Sequence, residues 1–210
     1  MERRGKRYRE AVSLLEAERE YEPREAIALA KEMATANFDE TVELHLRTGA
    51  DPRHADQMVR GVALLPHGLG KQIRVAVFAQ GEAASIALDA GVEEVGGEDL
   101  IKKIEDGWID FDVSIATPDL MGRIGRLGRI LGRRGLMPNP RTGTVVQTED
   151  LARAIGDAKK GRVEYRLDRT SIMHMPIGKA SFDDELLFDN LTTLMDNIVR
   201  ARPSSVKGQF

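Results

Sequence analysis

The chain has 210 residues, of which 41% are hydrophobic, 31% are charged and only 5% are aromatic, so we expect one large or two small domains with aliphatic cores. The absence of cysteine excludes disulfides, thiolate metal sites and cysteine nucleophiles, and the sequence has no apolar run typical of a signal peptide or a membrane span. A formal net charge of -3 argues against a protein that coats nucleic acid with its whole surface, but it permits a local basic patch.

The first ten residues form a basic arm with five Arg or Lys residues against two glutamates. A solvated terminus and an arm that contacts phosphates explain this charge equally well. Tyr8, Val12 and Leu15 predict an amphipathic helix over residues 6–17. Pro23 predicts the start of a second helix, which would end near residue 35.

The hydrophobic period then changes from the helical to the strand type. Val42, Leu44 and Leu46 alternate with polar residues, and this pattern predicts a half-buried strand with one polar face. The sequence Pro-His-Gly-Leu-Gly at residues 66–70 predicts a turn or a linker.

Strand and helix patterns alternate in the middle of the chain. Buried strands are predicted at residues 74–79 and 111–116, with a third, short strand at 144–147. Helices are predicted at 82–90, at 98–106, from residue 117 onward, and at 149–160 with Thr148 as the cap. This alternation predicts a Rossmann-like sheet with helices on its faces.

After Gly161 the pattern returns to amphipathic strands. Val163, Tyr165 and Leu167 are the inward positions of one predicted strand, residues 172–177 form the next, and residues 169–171 are the predicted hairpin turn. A capped helix is predicted from residue 182 to about 201. The fold class is therefore α/β: a discontinuous α+β domain of residues 1–66 plus 161–210 with an antiparallel sheet, and an inserted Rossmann-like domain of residues 67–160.

One segment, Met121–Thr144, carries six arginines and no acidic residue. The spacing of its first three arginines predicts a basic helix face opposite Ile124 and Leu127. This face is either the solvated side of an amphipathic helix or an anion-binding surface. The arginines of this secondary basic face are Arg123, Arg126, Arg129 and Arg134.

The sequence offers little support for catalysis. No two of the four histidines have metal-ligand spacing, and no nucleophile elbow, P-loop or dinucleotide fingerprint is present. We therefore expect no enzyme activity, no cofactor and no metal. Polar residues on the predicted strands form either a solvated sheet face or a surface that follows an RNA backbone. These residues are Thr41, Glu43, His45, Arg166, His174 and Lys179.

Several motifs together resemble the ribosomal protein L-one family of the bacterial large-subunit mobile stalk. The most specific is the sequence LGRRGLMPNP at residues 131–140. ATANFDETVE at residues 34–43, DQMVRG at 56–61 and LPHG at 65–68 are similar to further family segments, as are residues 77–80, 112–118 and 177–179. The resemblance covers essentially the whole chain.

The resemblance implies a non-enzymatic constituent of the cytoplasmic ribosome, monomeric when free, that binds 23S-type stalk ribosomal RNA (rRNA). It also implies a role in releasing exit-site tRNA and repression of translation through the protein's own mRNA leader. In the family the main RNA surface belongs to the discontinuous domain. Carried over by motif, the RNA-binding residues are Phe38, Thr41, Glu43, Arg166, His174 and Lys179.

The chain departs from the family pattern at three places. Asn37 stands where the family often has Lys, and Arg133 replaces a usual Pro. The family normally continues beyond the position of Phe210 through a strand with a Thr-Met-Gly motif, so we expect a sheet that is one strand short. The alternative function is an enzyme that binds a nucleotide or phosphate ligand in the inserted domain.

Overall fold

A computed structural model describes residues 5–16 and 18–206. The chain divides into two compact units. The first unit takes the chain up to Gly70 and again from Tyr165 onward, and the second unit is Lys71–Glu164. The predicted arm and first helix fall partly on residues 1–4 and 17, which lie outside the described residues. No helix of the described part is long and apolar enough to cross a membrane.

The first unit contains helices and two two-stranded sheets. Its helices are α1 (Lys6–Ser13), α2 (Pro23–Glu32) and α8 (Asp184–Arg200), and its strands are β1 (Thr41–Arg47), β2 (Arg60–Leu64), β6 (Arg162–Arg166, which begins in the second unit) and β7 (Ile172–Lys179). Both predicted N-terminal helices exist, but they end earlier than expected.

The predicted alternation of β1 is confirmed. Val42, Leu44 and Leu46 are partly buried, whereas the residues between them are exposed. β1 and β7 are antiparallel, with a register shift between Val42 and Glu43. On β7, Met173 and Met175 are fully buried. One face of this strand pair therefore belongs to the core and the other is open to solvent.

The predicted hairpin between the two late strands is wrong. A tight turn does connect them, with the Asp168 amide donating to the Ile172 carbonyl at 2.9 Å. However, β6 pairs with β2 and β7 pairs with β1. The strand β2 was not predicted, because its glycine and its short length obscured the pattern. A Cβ on Gly61 would lie 2.3 Å from Tyr165 Oη, so only glycine admits the ring of Tyr165 across this pair.

Helix α8 packs its apolar side into the core through Leu187, Leu194 and Ile198. Its N-cap is Asp183, with no side-chain capping bond, so the helix starts two residues later than predicted and its capping is not as expected. Asn190 is completely buried on the same side of the helix. Its amide donates to the carbonyls of Gly68 (3.0 Å) and Ile177 (2.8 Å), and its oxygen accepts from the His67 amide.

The second unit is a parallel sheet with helices on both faces, and the predicted α/β class is confirmed. Its sheet has the order β4-β3-β5, and both strand pairs are parallel. The elements are β3 (Val75–Phe78), α3 (Glu82–Asp89), β4 (Glu94–Gly96), α4 (Glu98–Glu105), β5 (Val113–Ala116), α5 (Pro118–Ile124), α6 (Gly128–Leu131) and α7 (Leu151–Lys159).

Residues of β3 alternate between two separate cores. Val77 packs with residues of α3 and α7 on one face, whereas Phe78 packs with residues of α4, α5 and α6 on the other. A strand that is buried on both faces reads as a continuous apolar run, and this pattern made β3 predictable.

Three local predictions in the second unit need correction. Strand β4 was missed, because three residues carry too little pattern. The predicted strand at 144–147 is reduced to one isolated bridge between Ala116 and Val145. Thr148 does not cap a helix: it begins the 3-10 turn Thr148–Asp150, which leads into α7 without a side-chain cap.

Candidate nucleic-acid interface

The exposed side of the β1–β7 pair carries a row of polar side chains in cross-strand register. Thr41 lies opposite Lys179, Glu43 opposite Pro176 and His45 opposite His174. Directly opposed residues of an antiparallel pair hold their side chains close together. We call this surface the polar strand face, which consists of Thr41, Glu43, His45, His174 and Lys179.

Phe38 lies in the loop that leads into β1, and the residue is 72% exposed. Its neighbours anchor the loop: Asp39 accepts hydrogen bonds from the Ser181 amide (3.1 Å) and hydroxyl (2.8 Å). Glu40 accepts from the Ala36 amide at 2.6 Å. An exposed aromatic ring on an anchored loop offers a surface for a sugar or a base at a small entropic cost.

Lys179 places an ammonium group at the end of the polar strand face. Its Nζ donates to Thr41 Oγ1 at 2.9 Å and to the Asp39 carbonyl at 3.3 Å. Among the described residues no carboxylate forms an ion pair with it, so its charge is not neutralised by the protein. A fixed cation of this kind suits a phosphate contact.

His45 and His174 form the centre of the polar strand face. Their ring centroids are 4.7 Å apart, the rings meet at 69°, and the two Nδ1 atoms are within hydrogen-bond distance. His45 Nε2 lies 3.6 Å from a Glu43 oxygen, and His174 Nε2 lies 3.5 Å from Asp168 Oδ2. The two rings are therefore flanked by a carboxylate at each end.

Asp168 is fixed by the turn between β6 and β7. One carboxylate oxygen accepts from the amides of Thr170 (2.7 Å) and Ile172 (2.8 Å), and the Thr170 hydroxyl also donates to it. The Ile172 amide, followed by the Thr170 hydroxyl, lowers the pKa of Asp168 to about 2. Asp168 is therefore an anion at neutral pH.

Arg166 does not belong to the same strand pair as the other predicted RNA-binding residues. It is the last residue of β6, which pairs with β2, and its side chain is exposed. Of the six residues, Thr41, Glu43, His174 and Lys179 come together on the polar strand face, and Phe38 precedes it. The sequence reading placed His45 on a polar surface without a role, and it missed Asp39 and Asp168.

The arginine-rich segment folds as short helical turns instead of one helix. α5 and α6 are separated by the 3-10 turn Gly125–Leu127 and followed by the 3-10 turn Gly132–Arg134. The predicted apolar side is confirmed, since Ile124, Leu127 and Leu131 are completely buried.

The four arginines of the secondary basic face have different partners. Arg126 forms ion pairs with Glu98 and with Glu105, the latter at 3.0 Å. Arg123, Arg129 and Arg134 are exposed and form no ion pair with any described residue. The available positive charge of this face therefore comes from three arginines, because acidic side chains already offset the charge of Arg126.

A pocket of about 420 Å³ opens beyond the carboxyl ends of β3 and β5. This is the usual ligand position in open α/β sheets. Its charged lining consists of Glu82, Asp119 and Glu149 against the single cation Arg123. Three carboxylates disfavour a phosphate ligand at this position. Among the described residues no group of His, Asp and Glu is arranged to hold a metal ion.

Comparison with known proteins gives a consistent result. Residues 30–210 match the profile of the Ribosomal protein L1p/L10e family. The large ribosomal subunit protein uL1 of Dehalococcoides mccartyi is 56% identical over 206 residues, which cover 98% of this chain and 87% of the relative. The protein of the same name from Thermomicrobium roseum is 56% identical over 211 residues, which cover 100% of this chain and 88% of the relative.

Proposed function

Because this chain belongs to the Ribosomal protein L1p/L10e family, we propose that it is a constituent of the large ribosomal subunit and binds ribosomal RNA through the polar strand face. The observation that carries this proposal is the Thr41–Lys179 pair beside the exposed ring of Phe38. It combines a hydroxyl, an ammonium group and an aromatic surface along one strand pair.

The six proposed RNA-binding residues offer several kinds of contact to RNA. Phe38 supplies apolar contact to a sugar or a base, and Thr41 and His174 supply hydrogen bonds. Lys179 binds a phosphate, and Arg166 binds another phosphate from β6, which belongs to the other two-stranded sheet. The carboxylate of Glu43 accepts a hydrogen bond from a 2′-hydroxyl, a group that only RNA has.

We extend the proposal to repression of the protein's own mRNA through the same surface. An mRNA leader that adopts the shape of the rRNA site would occupy the polar strand face in competition with rRNA. This competition follows from shared contacts, since a single face cannot hold two RNA chains at once. The repression is therefore expected to weaken with every substitution that weakens rRNA binding.

A second part of the proposal concerns exit-site tRNA. Arg123, Arg129 and Arg134 present three unneutralised charges on the second unit, and we assign them to a tRNA backbone. Arg126 contributes less, because Glu98 and Glu105 accept its donors.

The test is the binding of a stalk rRNA fragment over a salt series. Affinity should fall steeply with salt, because each neutralised phosphate releases counterions. Phe38→Ala and Thr41→Ala should weaken specific binding, whereas Arg129→Ala in the second unit should leave it unchanged. A flat salt response, or equal affinity for an unrelated RNA duplex, contradicts the proposal.

The alternative is an enzyme that uses the pocket of the second unit for a nucleotide. A thermal-shift screen with nucleotides discriminates the two functions, since a ligand well above its Kd raises the melting temperature. The three carboxylates of the pocket predict no shift with ATP or GTP. A clear shift with either one would support the enzyme.

A further inference from the structure

We propose that His45 is a positioning residue that holds His174 in one tautomer, so that His174 offers RNA a hydrogen-bond donor at Nε2. The effect on RNA rests on the proposed function of the polar strand face. The positions of the ring hydrogens do not depend on that function, because the geometry of the free protein defines them.

The first step is the contact between the two rings. The Nδ1 atoms of His45 and His174 face each other at 2.5 Å. Two N–H groups cannot occupy that space, and two bare lone pairs would repel each other. One hydrogen therefore lies between the rings, donated by one Nδ1 and accepted by the other.

The second step concerns the outer nitrogens. His174 Nε2 is 3.5 Å from Asp168 Oδ2, at hydrogen-bond distance, whereas His45 Nε2 is 3.6 Å from the carboxylate of Glu43, beyond that distance. A carboxylate only accepts hydrogen bonds, so Nε2 of His174 is favoured in its N–H form. Asp168 keeps its charge and its orientation, because the turn fixes it with three donors.

Together the contacts assign the central hydrogen to His45. His174 carries its hydrogen at Nε2, so its Nδ1 accepts from the Nδ1–H group of His45. Other groups on this face do not disturb the arrangement. The neighbours on β7 are Ile172 and Pro176, which cannot ionise, and the remaining neighbour on β1 is Arg47, whose guanidinium group has no acceptor for a ring hydrogen.

The fixed tautomer determines whether His174 donates or accepts a hydrogen bond when RNA binds. A free histidine ring presents either a donor or an acceptor at Nε2, depending on its tautomer. The pair removes this choice: the Nε2 hydrogen of His174, which lies 3.5 Å from Asp168 in a long hydrogen bond, selects an uncharged acceptor such as a base carbonyl. His45 does not need to contact RNA for this effect.

The test uses ¹⁵N spectra of the histidine rings in the free full-length protein at neutral pH, with His54→Gln and His67→Gln variants for assignment. We expect a protonated Nε2 on His174, a protonated Nδ1 on His45 and a coupling between the two Nδ1 atoms across the shared hydrogen. In His45→Ala, His174 should revert to a mixture of tautomers. In His45→Asn the amide replaces the Nδ1 donor, and the Nε2–H tautomer of His174 should persist.

RNA binding by the same variants completes the test. His45→Ala should weaken binding of the stalk rRNA fragment about three- to tenfold, the value of one hydrogen bond, and His45→Asn should restore most of it. A bare Nε2 on His174 in the wild type overturns the inference. The inference is also overturned if His45→Ala binds the rRNA fragment with wild-type affinity while Phe38→Ala binds it more weakly. If neither His45→Ala nor Phe38→Ala changes the affinity for rRNA, the polar strand face is not the RNA-binding surface. The ring spectra still decide the tautomer of His174 in that case.

Discussion

Lys179 and Thr41 occupy opposite positions of β7 and β1, and the ammonium group of Lys179 donates a 2.9 Å hydrogen bond to the Thr41 hydroxyl. A second bond to the Asp39 carbonyl holds the same ammonium group at the start of β1. Most surface lysines sample many rotamers, and this one is held by two acceptors that carry no charge. The positive charge is therefore positioned but remains available to an anion.

This arrangement predicts the effect of Lys179→Met on RNA binding. The loss of one phosphate contact should lower affinity for all RNA sequences and reduce the slope of log affinity against log salt by about 0.7–0.9. Thr41→Val keeps the charge, so it should lower affinity without changing the slope. Lys102→Met removes an exposed lysine of the second unit and serves as the control. An unchanged slope in Lys179→Met would remove Lys179 from the phosphate contacts.

Substitution of Phe38 should weaken RNA binding without changing the stability of the fold. Because the residue is 72% exposed, Phe38→Ala should change the free energy of unfolding by less than about 0.5 kcal/mol. The same change should weaken RNA binding about tenfold or more, as expected for a lost aromatic contact to a base or a sugar. Leu88→Ala, at a site that is 57% exposed in the second unit, is the matched control and should change neither quantity. A loss of stability in Phe38→Ala would indicate a structural role instead.

The predictability of each element depended on how far its pattern extends along the chain. β3 reads as a buried strand because both of its faces are covered, and β1 reads as an amphipathic strand because seven residues alternate. β4 has three residues, and β2 has a glycine where Tyr165 packs, so neither strand shows a recognisable alternation of apolar and polar residues.

The candidate site was predictable residue by residue, but not as an arrangement. Resemblance supplied Phe38, Thr41 and His174, and alternation placed most of the set on one strand face. The hairpin prediction failed because nearness in sequence does not decide which strand pairs with which. The partners of His174 could not be read from the chain, since His45 is 129 positions away and the contact depends on register.

Asp112 predicts a pH-dependent contribution to stability. Its side chain is only 19% exposed, and it accepts from Lys71 Nζ at 2.7 Å and from Arg74 Nε at 3.1 Å. Burial alone would raise the pKa of Asp112, but the hydrogen bonds from Arg74 and Lys71 outweigh it and lower the pKa to about 2. The unfolded chain therefore binds more protons than the folded one between about pH 2 and 4, and stability rises with pH over that window.

Asp112→Asn should accordingly lower the free energy of unfolding by about 2 kcal/mol at pH 7, the value of a shift of nearly two pKa units. The difference from wild type should be complete above about pH 4 and shrink as the pH falls through 2. Urea denaturation at a series of pH values measures it. Asp110→Asn, at an exposed partner of Arg74, should change stability by only a few tenths of a kcal/mol. A constant difference between pH 7 and pH 2 would show that the effect is not linked to this carboxylate.

Asn190 predicts a large structural effect from one buried amide. Its side chain is fully buried, and its three hydrogen bonds connect α8 to the His67 amide, the Gly68 carbonyl and the Ile177 carbonyl. Asn190→Leu keeps the number of side-chain heavy atoms but removes a donor pair and an acceptor, so three backbone groups lose their partner. Each unsatisfied buried group costs about 1–3 kcal/mol, and partial access of water to the turn reduces the sum to about 3–4 kcal/mol.

The measurement is the free energy of unfolding of the full chain by urea denaturation, with hydrogen exchange at the His67 amide as a local readout. His67 should lose protection in Asn190→Leu, because Asn190 Oδ1 is the acceptor of its amide. Thr192→Ala removes the exposed hydroxyl that donates to the Phe188 carbonyl, and it should cost less than about 0.5 kcal/mol. If Asn190→Leu were as stable as wild type, the apolar packing of α8 alone would hold the turn at residues 66–70. The hydrogen bonds of Asn190 would then specify the position of the turn without stabilising it.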